Sequence, residues 1–204
     1  MADRLGGLFR GLVAAAVVAG LLGLVLVDRD DTERSAYRSL PASAPVRLEI
    51  PSIGVDAPVV PIEVDSDAVL DPPGDPVQVG WWKRSAQPGA RGGQTVIAGH
   101  TVHTGGGSLD HVRSLRKGQT VDLATHRGTM RYRVRSVQVY DQPELADHAD
   151  ELFGQGAGDG RLVIVSCTDW NGSSYDNNVV VLAQPLGQPR NKGESKGAQQ
   201  AAGR

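Results

Sequence analysis

The chain has 204 residues, a formal net charge of -2 and an aromatic content of 4%, which suits one globular domain with appendages and excludes nucleic-acid binding through a basic surface. With Gly 26 and Pro 12 as turn punctuation, the composition is that of a β-rich fold whose core must come mainly from Val, Ile and Leu. A single cysteine excludes an intramolecular disulfide, so Cys167 serves either packing or chemistry.

Residues 11–27, "GLVAAAVVAGLLGLVLV", carry no charge and reach the short end of what crosses a bilayer; "LGGLF" before Arg10 lengthens the stretch if that arginine snorkels. A cleaved signal peptide needs small residues after its apolar core, whereas "LVLVDRD" presents large ones, so an uncleaved transmembrane signal-anchor is expected over 11–27. Arg4 and Arg10 precede the span and Asp28, Asp30 and Asp31 follow it. The positive-inside rule then places residues 1–10 in the cytoplasm and the rest outside, as a single-pass plasma-membrane protein.

Residues 28–45 are charged, small-residue-rich and aperiodic, and read as a linker. Residues 187–204 lack apolar content and read as a disordered tail. The folded domain is expected over 46–186. Its predicted strands are 46–50, 58–64, 76–82, 94–100, 119–125, 130–141, 161–167 and 177–183, Val-rich and bounded by Gly, Pro or Asp. Helical turns are expected only at "SLDHVRSLR" and "ELADHADELF". Eight short strands without alternating long helices predict an all-β fold, an eight-stranded barrel with one or two short helices. Arg131, Arg133 and Arg135 alternate and so share one solvated face of their strand.

Cys167 ends the apolar run "RLVIVSC" and precedes the polar loop "TDWNGSS". That position offers the partial exposure a thiolate nucleophile needs, and it equally suits a small buried residue of a sheet. Of the five histidines, His100 is placed most like a partner, because "TVIAGH" also ends an apolar strand in a reactive side chain. Two such ends can face one another across a barrel mouth. A zinc site of His100, His103 and Cys167 is disfavoured, since residues three apart on an extended chain point to opposite faces. No G-x-S-x-G motif occurs, and "TGGGS" lacks the lysine and helix of a phosphate loop. No cofactor is expected and no metal is assigned; scattered carboxylates such as Asp141, Glu144 and Asp147 leave only a weak calcium site open. "SLPAS" at 39–43 echoes a sorting signal but lacks the apolar tail and basic end that would follow one. Gly99 fits either a close backbone approach or a simple turn. Trp81 and Trp82 are expected to face opposite ways, one of them into the core, and Trp170 either lines an apolar groove or packs locally.

The segments "APVRLEIPSIGVDAPVVPI", "VGWW", "PGARGGQTVIAGHTV" and "RLVIVSC", together with the N-terminal anchor, resemble the sortases, transpeptidases of the Gram-positive cell surface, and most closely the class often called F. The likeness covers about residues 44–184. It implies an eight-stranded sortase barrel in which His100 and Cys167 match the catalytic histidine and cysteine. Ser166 stands where a threonine before the cysteine is usual. The family's arginine on the last strand has no counterpart in "YDNNVVVLA"; Asn178 occupies its approximate position, with Asp176 on the same strand face. An amide can donate to a developing oxyanion but brings no charge. Arg84, Arg91 and Arg161 are the arginines left to reach in from elsewhere.

The implied activity is cleavage of an LPxTG-like sorting signal by a membrane-anchored cysteine transpeptidase, with transfer of the acyl group to an amine of a cell-wall precursor. A catalytically weak or inactive peptide-binding barrel is the alternative, and a hydrolase differing only in its acceptor is a third reading. Reference values of about 8.5 for a thiol and about 6.5 for an imidazole leave the thiolate–imidazolium pair at ~1% of the neutral pair, a deficit of roughly 2.7 kcal/mol that nearby positive charge normally offsets.

Overall fold

The computed structural model describes residues 36–65, 69–156 and 158–190. The expected membrane span 11–27 lies outside them, as do residues 1–10 and 191–204; among the described residues no helix is long and apolar enough to cross a membrane. The chain divides into two compact units, one made of its two ends and the other running from Arg38 to Pro189. Within the first, the Arg190 N–H donates to the Ala36 carbonyl at 2.9 Å and Arg190 Nε to the Tyr37 carbonyl at 3.2 Å.

The second unit is built from eight strands: β1 (Pro45–Ile50), β2 (Val55–Ile62), β3 (Val79–Trp82), β4 (Gln94–Gly99), β5 (Thr120–Thr125), β6 (Gly128–Asp141), β7 (Arg161–Trp170) and β8 (Tyr175–Pro189). Their order is β8-β6-β5-β1-β2-β3-β4-β7, and a further pairing of β7 with β8 closes the barrel. Two neighbouring pairs are parallel, β2 with β3 and β4 with β7; the remaining pairings are antiparallel. All eight predicted strands are present. The last two run further than expected, because "TDW" and "YDN" continue the ladder as far as Trp170 opposite Tyr175, and β8 extends to Pro189, past the predicted start of the tail. A two-residue strand, Tyr37–Arg38, lies within the predicted linker.

Alternation sorts each strand between two apolar layers. On β6, Met130, Tyr132 and Val134 enter the barrel interior with Leu48, Ile97, Leu123, Leu162, Ile164 and Val181. Arg131, Arg133 and Arg135 take the other parity, and Arg131 meets its cross-strand partner Asp122 in a two-pronged ion pair, Nε–Oδ1 at 2.7 Å and Nη2–Oδ2 at 2.6 Å. The predicted solvated face is thus partly an ion-pair ladder. Trp81 is buried in the interior, and Trp82, pointing the opposite way, packs on a second cluster outside the barrel wall. That outer cluster is Val96, Val163, Val180 and Tyr140, covered by Leu152 and flanked by Leu70, Leu145 and Phe153.

Leu152 sits on the short helix α2 (Ala149–Phe153), which follows α1 (Gln142–Asp147). α1 begins where the sequence demands it: the Asp141 carboxylate accepts from the Glu144 N–H at 2.8 Å, and the Glu144 carboxylate accepts from the Asp141 N–H at 3.3 Å, a reciprocal capping box. Two of the three carboxylates considered for calcium are therefore engaged in helix capping. Leu152 is 1% exposed, and enclosing a leucine this fully contributes ~1.5–3 kcal/mol to holding the helical cover on the outer face.

Candidate active site

β7 delivers Cys167 by parity. Leu162 and Ile164 belong to the interior cluster, whereas Val163 belongs to the outer one and Val165 packs against it. Alternation carries Cys167 to the outer face, and Ser166 and Thr168, both buried, to the inner one. β4 behaves likewise, with Ile97 inside and Val96 outside, so Ala98 and His100 follow Val96 outward. The parallel register pairs Val96 with Val163 and Ala98 with Val165. Continued two residues, it sets His100 beside Cys167 at the ordinary strand spacing of about 4.8 Å. On the other side Cys167 pairs with Asn178, which shares the parity of the outer-layer Val180.

By this register Cys167 on β7 lies opposite Asn178 on β8 and, through its continuation past the end of β4, next to His100; all three are half-buried. This corrects the expectation of two strand ends meeting across a barrel mouth. β4 and β7 are parallel neighbours, so their C-terminal ends reach the same edge side by side, on the outside of the wall.

Local hydrogen bonds hold that arrangement. Ser166 Oγ donates to the Gly99 carbonyl at 2.8 Å and lies 2.8 Å from Thr101 Oγ1, stitching β7 to the chain on either side of His100. Gly99 has to be small: a Cβ there would stand 2.7 Å from Leu109 Cδ1 and 2.9 Å from Val79 Cγ1, both in the core. The close approach is by side chains of the core rather than by backbone, and Gly99 lies within β4 rather than in a turn. After His100 the loop turns back, with the Leu109 N–H donating to the His100 carbonyl at 2.9 Å. Asp110 gathers it further by accepting from the N–H groups of Val102 at 2.7 Å and Gly107 at 3.0 Å.

His100 Nε2 lies 2.7 Å from the carbonyl oxygen of Pro73. A carbonyl only accepts, which assigns the hydrogen to Nε2 and leaves Nδ1 as the nitrogen available for proton exchange. The segment carrying Pro73 is itself pinned, since the Ser108 N–H donates to the Pro76 carbonyl at 2.8 Å and Ser108 Oγ to that of Gln78 at 3.1 Å. Burial pushes the Cys167 thiol above its ordinary value, which disfavours the thiolate.

The arginines singled out from the sequence do not serve this site. Arg84 pairs with Glu63 at 3.2 Å. Arg161 reaches Gln94 Oε1 and the Glu151 carbonyl from the opposite end of β7, about 20 Å of strand from Cys167. Arg91 lies before β4, also at the far end of its strand. Asp176, near the start of β8, is exposed and its carboxylate accepts at 2.6 Å from Nδ2 of Asn171 in the turn that joins β7 to β8. The arginine that does approach is one that sequence reasoning missed. Arg113, on a 3-10 turn η1 (Val112–Ser114), donates from Nη1 to Asp169 Oδ1 at 2.5 Å and to Thr168 Oγ1 at 3.3 Å. No periodicity links "HVRS" to the end of β7, so nothing in the sequence could have selected it.

Trp170 packs locally. It stacks on His103 with ring centroids 4.2 Å apart and meets Tyr175 edge-on at 5.0 Å. Among the described residues no group of three or more His, Cys, Asp or Glu side chains is arranged to hold a metal ion.

The Sortase domain profile matches residues 48–186. Among solved structures, sortase A from Corynebacterium diphtheriae superposes with a TM-score of 0.57 at 17% identity, over 76% of this chain and 65% of that one. Sortase C-1 from Actinomyces oris gives 0.54 at 22% identity, over 72% of each chain. Sortase C1 from Streptococcus suis gives 0.56 at 20%, over 75% of this chain and 77% of that one. No curated protein matches at a significant level. The profile match spans most of the folded region and these likenesses carry the same barrel, so the chain belongs to the sortase family.

Proposed function

We propose that this protein is a membrane-anchored cysteine transpeptidase that cleaves an LPxTG-like sorting signal and passes the acyl group to an amine of the cell envelope. What supports the reading is the register that sets Cys167 on β7 opposite Asn178 on β8 and, continued one residue past the end of β4, beside His100. The anchor rests on residues 11–27 and the acidic flank that follows them, and the likeness to class F rests on the quoted motifs alone.

In the first half-reaction Cys167 Sγ attacks the carbonyl carbon of the scissile peptide bond. The C–N bond breaks as His100 Nδ1 gives a proton to the departing amine, leaving a thioester on the sulfur. The Asn178 amide, on the strand position opposite Cys167, would donate to the carbonyl oxygen as charge develops on it. In the second half-reaction the acceptor amine attacks the thioester and loses its proton to His100, and the thiol is released. Water in place of the amine gives hydrolysis. Because burial raises the thiol, the thiolate costs more to form than in an exposed cysteine, and slow turnover is expected.

Incubation with a thiol-directed sorting-signal mimic should add its mass to the wild type and not to Cys167→Ala. Transpeptidation by Cys167→Ala at the wild-type rate would refute the role given to the sulfur. A peptide-binding barrel without chemistry is the second reading, favoured by Asn178 standing where an arginine is usual. It requires that the wild type gain no covalent mass while still binding the peptide.

A further inference from the structure

We propose that Arg113 is the positioning cation of this site, acting through Asp169 and Thr168 to hold the end of β7 and to balance the carboxylate that follows Cys167. The proposal rests on the transpeptidase reading above and concerns how the thiol is served without an arginine on β8.

Asp169 is the only non-glycine residue at positive φ among the described residues, at 60°. A side chain held in the left-handed region costs of order 1 kcal/mol or more and persists only where its surroundings fix it. Here both carboxylate oxygens are taken. Oδ1 accepts from Arg113 and Oδ2 from Asn177 Nδ2 at 2.9 Å. The same guanidinium nitrogen reaches the hydroxyl of buried Thr168, the residue next to Cys167. The bracket therefore joins η1, the end of β7 and β8 immediately beyond the candidate nucleophile. Asn177 and Arg113, in that order, also hold the Asp169 carboxyl below the usual carboxylate range.

The charge balance follows from position. Asp169 is two residues from Cys167, about 7 Å of backbone along a strand, and a carboxylate released from Arg113 and Asn177 is free to turn toward the sulfur and oppose a thiolate. Arg113 cancels that effect. The other charged or titratable groups on elements around Cys167 include His100 from the end of β4, His103, Asp110 and His111 on the loop that follows it, Tyr175 and Asp176 on β8, Asp71 and Asp75 on the segment carrying Pro73, and Glu144, Asp147, Asp150 and Glu151 on α1 and α2. Arg113 is the one cation among these described groups with a bond to the end of β7.

The test is the pH dependence of Cys167 alkylation by iodoacetamide in the full-length protein, with circular dichroism confirming the fold of each variant. Arg113→Ala should raise the midpoint by about 0.5–1 pH unit, a roughly three- to tenfold loss of rate below the midpoint, from one unbalanced charge at that separation in a partly solvated site. Arg113→Lys should restore most of the shift, Asp169→Asn should lower the midpoint below that of the wild type, and the double variant Arg113→Ala/Asp169→Asn should return close to it. A purely structural role for Arg113 predicts no rescue in the double variant. Midpoints that coincide for wild type, Arg113→Ala and Asp169→Asn overturn the proposal while leaving the transpeptidase reading standing, provided the wild type still forms an adduct with the sorting-signal mimic. Absence of that adduct defeats the reading itself and the proposal with it.

Discussion

Replacing Ser166 by alanine tests whether the stitch between β4 and β7 holds the reacting groups together. Ser166 is 3% exposed, its Oγ donates to the Gly99 carbonyl at 2.8 Å, and with its one hydrogen so used it accepts from Thr101 Oγ1, also at 2.8 Å. The substitution removes both bonds and opens a space too small for water. A net hydrogen bond contributes about 1 kcal/mol, and leaving a buried acceptor unpaired adds to the loss, whereas half-buried Thr101 can turn toward the Leu109 carbonyl, 3.4 Å away. The expected destabilisation is ~1.5–2.5 kcal/mol. At about 2–4 °C per kcal/mol for a domain of this size, the melting temperature should fall by roughly 3–10 °C. Acyl-enzyme formation should fall further than stability alone explains, at temperatures well below the melt, because Gly99 and Thr101 flank His100 and Ser166 adjoins Cys167. Ser166→Thr keeps the hydroxyl and should retain both properties better than alanine. Calorimetry or circular dichroism gives the first number, and mass-detected capture of the sorting-signal mimic gives the second. Should Ser166→Ala melt within about 1 °C of the wild type and capture the mimic at an unchanged rate, the stitch has no part in assembling the site.

Two further predictions concern ionisation and ion pairing. Burial raises the Cys167 thiol above its ordinary value, so its alkylation midpoint should lie above that of a free cysteine. The unfolded chain then loses the proton first: relative to Cys167→Ser, the wild type should lose stability as pH rises from the ordinary thiol value through the raised folded one, and a difference in melting temperature that is flat across that window contradicts it. Asp122 is 7% exposed and holds Arg131 through both oxygens, so Asp122→Ala should cost ~1–2 kcal/mol by denaturant titration. Arg47→Ala, which removes an exposed pair with Asp56, should leave the midpoint unchanged, and equal losses in the two variants would contradict the ranking by burial.

The barrel was legible because its strands advertise themselves twice, once by β-branched content and once by the turn residues between them. "RLVIVSC" and "NNVVVLA" are strands buried on both faces: Val163 and Val180 lie in the outer cluster while Ile164 and Val181 lie in the interior. A continuous apolar run is what that burial requires. Strand ends were less legible. β8 runs on to Pro189 through "QPLGQP", residues whose composition reads as loop, because its partner β6 continues alongside as far as Arg131 opposite Gly187. Backbone hydrogen bonds supplied by a neighbour override the local preference of proline and glycine.

The placement of His100, Cys167 and Asn178 depends on register, and register is a property of pairs of strands. Each of the three can be placed at or near a strand end from its own segment, yet only the antiparallel pairing of β7 with β8 and the parallel pairing of β4 with β7, continued past the end of β4, bring them to one face. A slip of one residue at either seam would turn a partner to the other side of the wall. The interior sets that register: Leu162, Ile164, Ile97, Val179 and Val181 must all enter the barrel, so the residues between them must leave it. The outward placement at the edge is therefore a consequence of the apolar core beneath it, and the polar bonds of Ser166, Asp110 and Pro73 refine what the core has already oriented. Arg113 follows a different logic. Its approach to the end of β7 depends on the path of the long loop after His100, where no alternation constrains the chain, and on a carboxylate two residues past the cysteine that gives the guanidinium somewhere to bind. A charge brought in from a loop can change without disturbing the barrel, whereas the placement of sulfur and imidazole cannot.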